Sequence, residues 1–123
     1  MRAINTTILL SVFVGGGVGS LLRMLTITSF GNQFYLGTLL VNLTGSFFIG
    51  FVYNSEAKFL TEPIKMLIMT GIIGGLTTFS GFALDFFKLA QMGEFKRAFL
   101  YFIITNLLAI GGCMLGYFIS VKS

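Results

Sequence analysis

Long apolar runs separated by short polar stretches divide the chain into four segments, at about residues 4–27, 36–53, 64–90 and 98–121. Each is close to the length that crosses a hydrocarbon core, so the pattern predicts an all-α membrane protein: four transmembrane helices in a single domain over residues 1–123. The connections, at about 28–35, 54–63 and 91–97, are short. Pro63 suits the first turn of the third helix, where its missing N–H costs nothing. Thr61 and Glu62 ahead of it offer a cap and an acid for the helix dipole. Gly93 fits the turn that follows.

The third segment departs from the pattern. At about 1.5 Å per residue it would span roughly 40 Å, against a core of about 30 Å. Tilt would absorb part of the excess. A break would absorb it too, and the residues at its middle, Gly71-Ile72-Ile73-Gly74-Gly75-Leu76-Thr77-Thr78-Phe79-Ser80-Gly81-Phe82, favour one. Glycine pairs and β-branched threonine pairs are poor helix formers. In lipid an unpaired backbone group costs several kcal/mol, so non-helical chain survives only where protein buries it or where it lines a polar cavity. A break around Gly74–Thr78 would expose carbonyls and amides near the membrane midplane, as ion sites require.

Composition narrows the class. The 123 residues are 55% hydrophobic and only 10% charged, with a mean hydropathy of +0.94. A soluble domain of this size has no interior large enough for so much apolar surface. The absence of His and the single Cys argue against metal chemistry on those ligands, a disulfide framework and histidine acid–base catalysis. No P-loop appears, and nothing pairs a nucleophile with a base, so an enzyme is not expected. The first segment has Arg2 and an apolar run, but no small-residue cleavage pattern follows, and it reads as a retained span rather than a signal peptide.

The net charge of +4 comes from basic residues scattered at segment ends, which suits headgroup anchoring better than nucleic acid. With four spans both termini share one side. That side holds Arg2, Lys58, Lys65 and Lys122; the other holds Arg23, Lys88, Lys96 and Arg97. A balanced tally gives no preferred orientation under the positive-inside rule. Either the first helix decides, or copies insert both ways and pair antiparallel. Small residues recur four apart at Gly15/Gly19, Gly16/Ser20, Ser46/Gly50 and Gly112/Gly116. These permit close helix packing within one bundle or at a subunit interface.

Asn42 places a side-chain amide inside the second apolar segment, where polar groups are costly. It is either an interhelical hydrogen-bond partner or an N–H donor to an anion. Phe79 and Phe82, three apart, share one helical face, and the ring edges carry partial positive charge. Among fifteen Phe, such a pair is by composition alone more often core or lipid-facing. Tyr101 and Thr105, four apart, begin a polar stripe that Ala109 interrupts. Cys113 reads as a small buried hydrophobe.

Three motifs then converge. Gly15-Gly16-Gly17-Val18-Gly19-Ser20-Leu21-Leu22-Arg23, Gly37-Thr38-Leu39-Leu40-Val41-Asn42-Leu43-Thr44-Gly45-Ser46-Phe47, and Gly74-Gly75-Leu76-Thr77-Thr78-Phe79-Ser80-Gly81-Phe82 together resemble the Fluc (CrcB) fluoride channels, along the whole chain and in order. The resemblance implies a dual-topology, antiparallel dimer with two fluoride pathways and a structural sodium ion at its centre. It implies a pathway along Asn42, Phe79, Phe82, Ser80 and Thr38, extended by Tyr101 and Thr105. It also implies sodium held by the backbone carbonyls of Gly74 and Thr77. The family commonly has Thr where this chain has Gly81. Arg23 and Asp85 are expected in structural, interfacial roles, Asp85 pairing with a basic residue. The implied activity is passive fluoride export across a prokaryotic plasma membrane, by a homodimer or with a paralogous partner, protecting the cell from fluoride. Two rivals are a small multidrug-type proton-coupled antiporter, which needs a membrane-embedded carboxylate, and a non-selective structural membrane subunit.

Overall fold

The computed structural model describes residues 3–122; Arg2, counted in the charge tally, lies outside them. Its elements are α1 (Thr6–Ser29), α2 (Phe34–Tyr53), α3 (Glu62–Met66), a π-helical segment (Leu67–Ile73), α4 (Gly74–Leu76), α5 (Phe79–Gln91) and α6 (Phe95–Lys122), with a short 3-10 turn at Gly31–Gln33. No strand occurs among the described residues. Four helical stretches, Thr6–Ser29, Gly31–Tyr53, Glu62–Gln91 and Phe95–Lys122, are long and apolar enough to cross a membrane, as the hydrophobic pattern predicts. Helices satisfy every interior backbone group within one segment, which a bilayer demands. The chain is a multi-pass membrane protein.

Local chemistry sets the helix ends. The Asn5 side chain accepts the N–H of Ile8 at 2.9 Å and caps α1. Gly93, at φ 76, occupies the left-handed region that only glycine adopts freely and turns the chain from α5 into α6. At α3 the expected side-chain cap does not form: Thr61 makes no capping bond through its hydroxyl. Its carbonyl instead accepts the N–H of Lys65.

The helices pack as two associations. α1 lies along α3, the π-helical segment and α4, while α2 lies along α6. The first association is backbone against backbone. A Cβ on Gly19 would run into the Ile72 carbonyl oxygen, and Gly15 and Gly71 sit against each other's main chain. Gly15 and Gly19 therefore serve packing inside the chain. The second half of the third span packs through side chains: Phe82, Leu89, Ala98 and Tyr101 form a buried cluster, with Tyr35 and Leu39 of α2 against it. Large apolar side chains such as Phe13, Leu107 and Ile110 remain exposed along α1 and α6. That is the surface expected where lipid or another copy replaces water.

Candidate functional site

Within the third span the glycines and the threonines behave differently. Gly74 is helical, at φ -61 and ψ -36, whereas Thr77 (φ -82, ψ 154) and Thr78 (φ -153, ψ 114) are extended. The Thr77 N–H keeps its helical bond to the Ile73 carbonyl, but the buried Thr78 amide is carried away from a helical partner and must find another. Asn42 supplies it. Its Oδ1 accepts the Thr78 N–H at 2.7 Å, and its Nδ2 donates to the Thr78 carbonyl at 3.1 Å. One side-chain amide thus pairs with both backbone groups of one residue in a buried setting. The Thr78 hydroxyl then accepts the N–H of Gly81 at 2.8 Å and caps α5. It also lies 3.3 Å from the Ser80 hydroxyl.

These diversions have a consequence for two carbonyls. In a continuous helix the N–H of Thr78 would bond the Gly74 carbonyl, and that of Gly81 the Thr77 carbonyl. Here Thr78 donates to Asn42 and Gly81 to Thr78 Oγ1. Gly74 and Thr77 are therefore left with carbonyl oxygens relieved of their helical donors, a donor set suited to a hard cation. No group of three or more His, Cys, Asp or Glu able to hold a metal occurs among the described residues. The carbonyl between them is held differently: Arg23 Nε donates to the Gly75 oxygen at 2.9 Å. Placed there, a guanidinium meets the negative end of the interrupted helix.

Beside the extended residues lies a pocket of about 250 Å³, lined by Asn42, Ser46, Thr77, Thr78, Phe79, Phe82, Thr105, Asn106, Ala109 and Ile110. It brings together Asn42, Thr77, Phe79, Phe82 and Thr105 of the residues singled out by sequence. Phe79 and Phe82 have ring centroids 5.8 Å apart but different surroundings. Phe82 is buried against Tyr101 at 5.1 Å, while Phe79 is 79% exposed. Thr105 is buried, and its hydroxyl has no hydrogen-bond partner, so it is a donor free for an occupant of the pocket.

Three expected residues stand outside that lining. Thr38 is buried, with its hydroxyl 3.4 Å from the Phe34 carbonyl to which it donates. Ser80 reaches the site only through Thr78. Tyr101 turns into the α5–α6 cluster, where its hydroxyl donates to Asp85 Oδ2 at 3.1 Å. The basic partner expected for Asp85 is replaced by this phenol, because Asp85 points into the helix packing and is buried. As lining residues, Thr78, Ser46 and Asn106 were not singled out by sequence. Thr78 carried a usable signal, a Thr directly before an apolar helical run.

A family model described as "CrcB-like protein, Camphor Resistance (CrcB)" matches residues 10–117. The chain is 42% identical over 115 residues to a Hydrogenobaculum sp. (strain Y04AAS1) protein named fluoride-specific ion channel FluC, covering 89% of this chain and 94% of the relative. It is 40% identical over 116 residues to the protein of that name from Aquifex aeolicus (strain VF5), covering 89% and 94%. Against the Aeromonas salmonicida (strain A449) FluC it is 41% identical over 113 residues, covering 87% and 90%.

Proposed function

The chain belongs to the CrcB-like family, and from that membership we infer that it is a fluoride-specific ion channel, a transporter and not an enzyme. The observation that carries the reading to particular residues is the pocket in which Asn42, Thr105, Phe79 and Phe82 converge beside the extended Thr77–Thr78 backbone. Fluoride is small and strongly hydrated, so a pathway must replace water hydrogen bonds with protein donors. Asn42 uses one N–H on Thr78 and keeps the second for an anion. Thr105 contributes an unpartnered hydroxyl. Ser80 extends the donor set through Thr78. The edges of Phe79 and Phe82 add weak positive potential without a full charge that would trap the ion.

Permeation needs a wall that one chain does not supply, since Phe79 is exposed. An antiparallel homodimer completes it, with each copy inserted in the opposite sense. The balanced basic residues on the two sides support that arrangement. A paralogous partner of opposite orientation would serve equally. Two inverted copies bring their Gly74 and Thr77 carbonyls to a common axis, where four inward oxygens would repel unless a cation lay between them. The residues fit sodium at that place, held by backbone oxygen alone, and such an ion would supply the charge that keeps the carbonyls together. Tyr101 supports the pathway from behind, by holding Asp85 and packing against Phe82, while Thr38 is buried on α2. In a prokaryotic plasma membrane the channel lets fluoride, trapped inside after hydrogen fluoride enters and ionises, leave down its gradient.

The test is efflux from liposomes holding the purified protein, followed with a fluoride electrode. Rapid fluoride release with little chloride release and no requirement for a proton gradient is expected. Equal rates for the two halides would overturn the selectivity, and proton-driven movement of an organic cation would assign the chain to an antiporter.

A further inference from the structure

Asn106 is a polar side chain in a place that favours apolar ones. It is exposed in α6, beside Leu107, Leu108 and Ile110, all of which are exposed as well. Measured from Phe95 at about 1.5 Å per residue, it lies roughly 17 Å along α6, near the middle of a hydrocarbon core about 30 Å thick. An amide facing lipid at that depth is costly, and polar groups there mark pathways or partners. Asn106 does not resolve the cost within its own chain. Its Nδ2 donates to the Phe102 carbonyl at 2.8 Å, which uses one N–H and fixes the amide against the helix. The second N–H is left over. The same side chain lines the pocket that holds Asn42, Thr105, Phe79 and Phe82.

We propose that Asn106 is a second amide of the anion pathway, contributing its remaining N–H to partly dehydrated fluoride on the α6 wall of the pocket, facing Asn42 on the α2 wall. The proposal rests on the fluoride-channel reading and deepens it by naming a binding residue. The two amides then have different duties. Asn42 holds the extended backbone and offers one donor; Asn106 holds nothing but its own helix and is free to serve the ion. A hydrogen bond from Asn106 to a second copy is the competing use of the same N–H.

Asn106→Leu, Asn106→Ser and the unaltered protein, reconstituted side by side, separate these. Fluoride efflux is read together with the dimer fraction from glutaraldehyde cross-linking. For the leucine variant efflux is expected to fall at least about fivefold with the dimer fraction unchanged. The serine variant, which keeps a short donor, is expected to recover most of that loss. Asn106→Ala replaces the leucine variant if the latter yields no folded protein. Efflux within about twofold of the unaltered protein in the leucine variant, or in the alanine variant where it stands in, would overturn the proposal. So would a loss that follows the dimer fraction, which would make Asn106 an interface residue. Unaltered protein that releases no fluoride would overturn the channel reading itself, independently of any effect at Asn106.

Discussion

The two halves of the third span are built from one continuous apolar stretch, yet they are held in opposite ways. Before Thr77 the chain leans on α1 through glycine, main chain on main chain. After Thr78 it leans on α6 through rings and a buried phenol–carboxylate pair. Backbone contact leaves little freedom, so the first half forms a fixed frame. Side-chain contact lets the second half present different surfaces, with Phe82 turned inward and Phe79 outward. The extended pair between them is where frame becomes lining, and Asn42 secures that joint from α2.

The sharpest break in this contrast is a side chain forced into the frame. Gly19→Leu would drive carbon into the Ile72 carbonyl, and overpacking of this kind against rigid backbone is among the most damaging substitutions. Folded dimer recovered in detergent is expected to be lost. Gly17→Ala, where a Cβ meets nothing within 4 Å, is expected to leave the yield unchanged. Similar yields for the two would mean that α1 does not rest on the third span as described.

Asn42→Leu attacks the joint. It leaves the buried Thr78 N–H without a partner, at about 1–3 kcal/mol, takes from the Thr78 carbonyl one of its two donors, the other being the Phe82 N–H, and removes a pathway donor. Both the thermal midpoint in detergent and fluoride efflux are expected to fall, the latter by at least about tenfold, equivalent to roughly 1.4 kcal/mol. A variant with lowered stability but normal efflux would confine Asn42 to the backbone clamp.

Thr78→Val acts at the start of the second half and at the contact with the Ser80 hydroxyl. It deletes the acceptor for the Gly81 N–H, and about 1 kcal/mol of stability is expected to go with it. Thr61→Val, at a cap whose side chain makes no capping bond, is the matched control and is expected to change the midpoint little. The smallest effect belongs to Glu94→Gln. Its ion pair with Arg97 is 4.0 Å long and solvent-exposed, and removing it is expected to leave stability and flux within error.

The contrast was only partly legible in the sequence. The four spans followed from apolar run lengths, because a bilayer leaves few alternatives to a helix. Non-helical chain near Gly74–Thr78 was expected from poor helix formers. The glycines nevertheless stay helical and the threonines are extended, since Thr78 gains both a bidentate partner and a cap in that conformation. Only the cap, three residues on, is visible locally; Asn42 lies 36 positions away. Tyr101 as the partner of Asp85 was hidden for the same reason, as was the π-helical segment, whose residues carry no distinguishing pattern. Asn42 itself stood out because an amide inside an apolar run is costly unless it binds something. Asn106 carries the same signal, an amide inside an apolar run, but lies outside the three motifs.

The central claim is that fluoride passes through the pocket that Phe79 and Phe82 line with Asn42. The most direct measurement is fluoride efflux from liposomes bearing the double variant Phe79→Ile and Phe82→Ile, with dimer content measured in the same vesicles. The account predicts a fall of at least about tenfold with dimers intact. Near-normal efflux from intact dimers would contradict it and return both rings to packing.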